Sequence, residues 1–149
     1  MIALTKEEKV NMGRTMVQIK VENAGDLTGV KRGYITFDKI RHIEAEALVD
    51  TGASTLCLPP EMVKALGLSL IDTKRVKTGA GEKNLNVYET VQLTILGRTC
   101  RVDVFEIPHG IQPLVGYIPL EWLDLVVDPK KGKVTPNPEH GDEMILDLL

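Results

Sequence analysis

Apolar and polar residues alternate with a period of two through most of this chain, and this alternation limits its fold more than any other feature. Four segments show the pattern: residues 17–21, 43–49, 91–95 and 100–104. A period of two is typical of strands that bury one face. Turn-forming residues recur between such segments, at residues 23–33, 77–84, 97–98, 108–113 and 129–132. The sequence therefore predicts an all-β fold, either a barrel or a sandwich.

Helix signals are sparse, so we expect one or two short helices beside the strands. The stronger signal covers residues 59–67, where Pro59 and Pro60 suit a first helical turn and Gly67 suits the exit. The weaker signal covers residues 119–123, a stretch little longer than one turn.

The length and charge of the chain limit its organisation and its partners. It has 149 residues and a formal net charge of −3, which suits one domain and disfavours nucleic acid as a partner. No apolar stretch reaches the roughly 20 residues that span a bilayer, so no membrane partner is expected. The early charges at the start of the chain do not resemble an export signal, and the expected location is cytoplasmic. We predict an N-terminal extension (1–14), a domain (15–134), and a linker with an apolar tail (135–149).

The tripeptide Asp50-Thr51-Gly52, which follows an apolar strand directly, is the segment that carries chemistry. Gly52 lets the backbone turn sharply, so the carboxylate can face a cleft while neighbouring amides bind it. Taken alone, the tripeptide also fits an ordinary turn at the end of a strand. Its context decides between these two interpretations.

The order of the segments that follow the tripeptide along the chain is also informative. They are a hairpin turn with Thr78, Gly79, Ala80 and Gly81, strands over residues 87–96 and 99–107, and the triplet Leu114, Val115 and Gly116. Together with residues 48–54, this order resembles the retropepsin-like aspartic proteases. The resemblance implies an all-β, closed β-barrel with a flap hairpin, acting as a two-fold homodimer. It also implies peptide-bond hydrolysis without a cofactor or a metal ion.

The resemblance further implies roles for individual residues. Asp50 is the catalytic residue, the hairpin turn at residues 78–81 binds substrate as a flap, and residues 114–116 pack against the active-site loop. Support for that loop comes from Thr51, Gly52 and Ala53. Retroviral members carry an acidic residue at the position of Ser54 and an arginine at that of Tyr117, so this chain lacks their ion pair.

Aspartic proteolysis requires two carboxylates about 3 Å apart that share one proton. One carboxylate acts as a base toward water, and the other supplies a proton. The chain has a single Asp-Thr-Gly and no Asp-Ser-Gly, so the second carboxylate must come from another copy across a two-fold axis. We therefore expect a homodimer that acts on a peptide or protein substrate.

Other functions receive less support from the sequence. The three histidines lack metal-ligand spacing, and Cys57 and Cys100 lack an orienting partner for a nucleophilic role and are expected to be reduced. Residues 78–83 lack the frame of a phosphate-binding loop. Two questions stay open: whether the fold serves instead as a non-catalytic peptide-binding or scaffold module, and whether the tail packs on the domain, at the dimer interface or in a cleft.

Overall fold

The structure is a computed structural model that describes residues 15–148. Its strands are β1 (Met16–Asn23), β2 (His42–Val49), β3 (Leu56–Leu58), β4 (Leu70–Thr78), β5 (Gly81–Ile95), β6 (Arg98–Glu106), β7 (Leu114–Val115), β8 (Leu125–Asp128) and β9 (Lys133–Pro136). Its helices are α1 (Ala24–Lys31), α2 (Pro60–Ala65) and α3 (Tyr117–Trp122), with 3-10 turns at Phe37–Lys39 and Pro138–His140.

Six of the strands close into a barrel. Hydrogen-bonded neighbours follow the order β1-β2-β7-β3-β6-β5, and β5 pairs with β1 to complete the ring. β5 has 15 residues, so its first half pairs with β4 in a hairpin while its second half pairs with β1. The prediction of an all-β closed barrel is confirmed.

Alternate residues of the barrel strands fill the core, as the period of two predicts. Val17, Ile19 and Val21 of β1 point inward and are buried, while the residues between them are more exposed. Leu56 and Leu58 of β3 are also fully buried. Burial of each such side chain is worth about 1.5–3 kcal/mol, which fixes the strand register and hence the position of the loop that follows β2.

The prediction of a turn over residues 23–33 is wrong, because helix α1 occupies most of this segment. Asn23 caps the helix, since its Oδ1 accepts a hydrogen bond from the Asp26 amide at 3.0 Å. The Asp26 carboxylate in turn accepts bonds from the Arg41 amide and guanidinium, each at 2.9 Å. With α1, the described residues contain three α-helices instead of one or two; α2 lies inside its predicted segment, and α3 begins two residues earlier than predicted.

We expect acid to weaken the contact between Asp26 of α1 and Arg41. The Arg41 side chain, through its hydrogen bond, lowers the pKa of Asp26 from the usual 3.8. Because the folded pKa is the lower one, this contribution to stability is present above about pH 3.8 and is lost as the pH falls through the folded value. We expect the unfolding free energy of the wild type to fall more steeply between about pH 5 and pH 2 than that of Asp26→Asn. Urea titrations at several pH values measure the unfolding free energy of both proteins. An equal dependence of this free energy on pH in the wild type and in Asp26→Asn would contradict the prediction.

The sequence also predicts an N-terminal extension (1–14) and a C-terminal linker with an apolar tail (135–149). Residues 1–14, the predicted extension, lie outside the described residues. Strand β9 extends to Pro136 and pairs with β8, so the predicted linker begins inside a strand. Within residues 15–148 the longest helix has eight residues, and none has the length and hydropathy needed to cross a membrane.

Candidate active site

Asp50 follows the last residue of β2 and begins a tight loop. Its amide donates to the Val115 carbonyl at 2.9 Å, which holds the loop against β7. The Gly52 amide donates to Asp50 Oδ1 at 2.9 Å, and the Ala53 amide donates to the Asp50 carbonyl at 3.0 Å. The loop thus folds back on its own aspartate and fixes the orientation of the carboxylate.

The tip of this loop reaches the protein surface. Asp50 is half-buried, whereas Thr51 and Gly52 are exposed. The sequence assigned Thr51, Gly52 and Ala53 to loop support. The structure places Gly52 and Ala53 in hydrogen bonds to Asp50 and leaves Thr51 at the exposed tip, where its role stays a prediction.

Strand β7 lies between the two strands that flank the loop. It pairs in parallel with β2 and antiparallel with β3. Beyond it, the Gly116 amide donates to the Thr55 carbonyl at 3.0 Å, and the amides of Tyr117 and Ile118 donate to the carbonyls of Ala53 and Ser54 at 3.1 and 2.9 Å. The sequence-predicted triplet 114–116 is therefore brought directly onto the Asp50 loop.

Gly116 permits this contact because it has no side chain. A Cβ atom at this position would lie 2.5 Å from the Ala53 carbonyl oxygen, 2.6 Å from the Ser54 carbonyl carbon and 2.7 Å from the Thr55 nitrogen. All three are backbone atoms, which cannot rotate away as the end of a side chain can. Ser54 and Tyr117 occupy the positions of the retroviral ion pair. In this structure backbone hydrogen bonds join the chain segments that contain these two residues.

The predicted flap forms the tip of the β4–β5 hairpin. Gly79 and Ala80 make the turn, and Thr78 pairs with Gly81. The Thr78 hydroxyl donates to the Gly81 carbonyl at 2.8 Å and accepts from the Ala80 amide at 3.2 Å, while Gly81 has a φ of +108° that suits glycine. These bonds stay within the hairpin, so its function as a flap stays a prediction.

An apolar row next to Asp50 was not predicted from the sequence. Leu48 pairs with Leu114, Leu114 with Cys57, and Cys57 with Phe105. Paired residues share a face of the sheet, and residues two apart on a strand do also, so this row lies on the face that Asp50 shares with Leu48. The row combines strands that are far apart in the sequence, and only their register reveals it.

The cysteines do not provide a nucleophile. Burial raises the pKa of Cys57 to about 11, with a smaller contribution from the negative charge of Asp50. Burial also raises the pKa of Cys100 to about 11. Both thiols are free and stay protonated at neutral pH, whereas the thiolate is the reactive form. Residues 15–148 contain no group of three His, Cys, Asp or Glu side chains that could hold a metal ion.

Asp-Thr-Gly directly follows a barrel strand, and the glycine that follows a second strand packs on its loop, an arrangement that fits an aspartic protease. Residues 36–117 match the family model described as aspartyl protease, a span of more than half of the chain that includes Asp50 and Gly116. The chain therefore belongs to the aspartyl protease family, and the resemblance drawn from residues 48–54 and 114–116 is confirmed.

Among solved structures, this chain is similar to the solution structure of the Simian Foamy Virus (mac) protease, with 21% sequence identity and a TM-score of 0.47. The similarity covers 72% of this chain and 93% of that chain. A comparison with curated proteins gave no match.

Proposed function

We propose that this protein is an aspartic endopeptidase whose active form is a homodimer with one Asp50 from each copy. The observation that carries the proposal is the Asp50 loop, which is fixed on one side by Val115 and Gly116 and ends in an exposed tip. One copy thus offers half of a catalytic pair at its surface. A second copy related by a two-fold axis supplies the other half through the same loop.

The proposed reaction divides acid and base roles between the two Asp50 carboxyl groups, which share one proton. The ionised carboxylate removes a proton from water as the water oxygen bonds to the peptide carbonyl carbon, and the other carboxyl protonates the carbonyl oxygen. In the second step the carboxyl that took a proton from water gives it to the nitrogen, the carbon–nitrogen bond breaks, and the other carboxylate takes a proton from a hydroxyl of the tetrahedral intermediate. The products are a carboxylic acid and an amine, and the pair again holds one proton.

The apolar row favours a substrate with apolar side chains next to the bond that is cleaved. Leu48, Leu114 and Phe105 are half-buried and share the face of Asp50. An extended peptide places alternate side chains on one face, so a residue beside the scissile bond would contact this row. Burial of such a side chain contributes to binding in proportion to its apolar area.

We further propose that the tip of the β4–β5 hairpin closes over the bound peptide as a flap. The hairpin extends beyond the barrel ring, and residues 77–84 are exposed. Its backbone can pair with an extended substrate as an added strand does, and closure would exclude water from the reacting bond.

The dimer can be measured directly. We expect sedimentation at assay concentration to give a species of twice 16.4 kDa, because a single Asp50 cannot form the carboxylate pair. The same protein samples should show peptidase activity, and the activity per chain should fall on dilution because the dimer dissociates. A monomer that retains full activity would contradict the shared active site.

A non-catalytic peptide-binding module on the same barrel is the second candidate, since the apolar row alone could hold a peptide. Such a module has no need of an ionised Asp50. Binding and cleavage of one apolar peptide should therefore be compared between wild type and Asp50→Asn. Cleavage by the wild type alone supports the peptidase, whereas equal binding without cleavage by either protein supports the module.

A further inference from the structure

The β4–β5 hairpin is positively charged, although the chain as a whole is acidic. Residues 70–87 contain four lysines and arginines and two acidic residues, a net charge of +2, whereas the whole chain has a net charge of −3. All six of these charged side chains are exposed. A local positive charge on an acidic protein attracts acidic ligands to that part of its surface.

The register of the hairpin places its side chains on two faces. Directly paired residues share a face, and so do residues two apart on one strand. The face that we call the Lys83 face therefore consists of Asp72, Lys74, Val76 and Thr78 of β4 with Gly81, Lys83, Leu85 and Val87 of β5. The opposite face, which we call the Lys77 face, consists of Thr73, Arg75 and Lys77 of β4 with Glu82, Asn84 and Asn86 of β5.

Lys83 carries the unneutralised charge of its face. Asp72 and Lys74 form an ion pair at 3.4 Å, so they largely cancel each other. Within residues 15–148 the Lys83 side chain has no ion pair and no hydrogen bond. Val76, its partner across the hairpin, and Leu85 are half-buried. The face thus combines apolar side chains with one free ammonium group.

The Lys83 face continues into the face of the sheet that carries Asp50. Val87 at its base pairs with Phe105 of β6, and Phe105 belongs to the apolar row on the Asp50 face. Val87 is also buried, so the base of the hairpin is packed where the two surfaces join. A peptide that lies along the apolar row is therefore on the same side of the sheet as Lys83.

The Lys77 face continues instead toward the core of the barrel. Tyr88, two residues beyond Asn86, pairs with the buried Val104. Arg75 and Glu82 form an ion pair on this face, and within residues 15–148 the Lys77 side chain has no ion pair. Each face of the hairpin therefore has one free lysine, and only that of Lys83 shares the side of Asp50.

Hydrogen bonds to Glu106 of β6 hold the base of the hairpin in this orientation. The Tyr88 hydroxyl donates to Glu106 Oε2 at 3.0 Å, and Asn86 Nδ2 donates to Glu106 Oε1 at 3.3 Å. Because these bonds add to the backbone pairing of β5 with β6, the two faces of the hairpin cannot exchange places.

We propose that Lys83 is a specificity-determining residue that favours peptides with an acidic side chain near the cleaved bond. The proposal rests on the proposed peptidase activity and its flap, and it goes beyond them by naming the charge of the substrate. Lys83 lies four residues before Val87, or about 13 Å along β5 at about 3.3 Å per residue. The acidic side chain is therefore expected within about four positions of the residue that contacts Phe105.

The test uses peptides that share the same apolar residues at the cleaved bond. Each carries one glutamate at one of the four positions on either side, and a matched peptide carries glutamine there. At about pH 6 the peptide glutamate is ionised. We expect the wild type to show an about fivefold higher kcat/KM for glutamate at one position or more, as an exposed ion pair provides, and a smaller preference at high salt.

Variants of the two free lysines show which face is responsible. Lys83→Gln should abolish the preference for glutamate, and Lys83→Glu should reverse it. Lys77→Gln is the matched control, because it removes the same charge from the same hairpin on the opposite face, and it should keep the preference. The ratio of glutamate to glutamine peptides is compared within each variant, so a change in overall activity does not affect it.

Equal kcat/KM for glutamate and glutamine at every position in the wild type would overturn the role of Lys83 while the peptidase stands. So would a preference that Lys77→Gln lowers as much as Lys83→Gln does. A wild type that cleaves none of the peptides would overturn the peptidase. Binding of the same peptides would then decide the role of Lys83, which equal affinity for glutamate and glutamine would overturn and a preference lost only in Lys83→Gln would support.

Discussion

Asp50→Asn is expected to lower peptide hydrolysis at least about 10³-fold, because an amide can neither remove a proton from water nor share one with the opposite carboxyl. The fold should survive the change. The Gly52 amide donates to Asp50 Oδ1 at 2.9 Å, and the asparagine carbonyl oxygen can accept the same bond. The measurement is the turnover rate on an apolar peptide together with the thermal unfolding midpoint.

Asp38→Asn provides the matched control for this result. Asp38 is an exposed aspartate in the Phe37–Lys39 turn whose carboxylate bonds to the Thr36 hydroxyl, so the chemical change is identical and the site is different. Its turnover rate should equal that of the wild type. Retained hydrolysis in Asp50→Asn would show that another group performs the chemistry.

Gly116→Ala is expected to destabilise the protein by about 3 kcal/mol, the upper part of the usual range for an overpacked site, and to remove most of the activity. The added Cβ would lie 2.5 Å from the Ala53 carbonyl oxygen. Because its neighbours are backbone atoms of the active-site loop, the strain can be relieved only by moving that loop. Urea unfolding and turnover rate measure the two effects.

Gly29→Ala separates this effect from the general cost of replacing a glycine. A Cβ at Gly29 would meet side-chain atoms of Ile35 at 3.2 and 3.5 Å, and this side chain can shift. Alanine also favours the helical conformation of α1 by about 1 kcal/mol over glycine. Stability should be unchanged or higher, with full activity. If Gly116→Ala behaved in the same way, the close packing of β7 on the Asp50 loop would not matter for function.

The parts of the fold that the sequence predicts are those determined by local patterns. The alternation in β1 and β2 decides which side chains enter the barrel, and the tripeptide at Asp50 marks the end of β2. The triplet ending in Gly116 was predicted in another way, because only the resemblance to the retropepsin-like aspartic proteases implied that it packs on the active-site loop. Local patterns were sufficient for the strands, whereas the roles of Asp50 and of this triplet also required the order of the segments along the chain.

Features that depend on distant contacts were not predictable in this way. Helix α1 contains Gly25 and Gly29, which favour a turn, and it is stabilised through Arg41, fifteen residues after Asp26. The Asp124 carboxylate likewise accepts hydrogen bonds from Asn137 and from the Ile145 amide, 13 and 21 residues further along the chain. Such contacts become visible only when the register of the strands is known.

Mixing wild-type and Asp50→Asn chains tests the shared active site most directly. After subunit exchange at constant total protein, dimers with two intact Asp50 residues form in proportion to the square of the wild-type fraction. In an equal mixture the account predicts about one quarter of the activity of pure wild type, because a dimer with a single Asp50 is inactive. Activity of about one half, in direct proportion to the wild-type chains, would show that each chain works alone and would contradict the account.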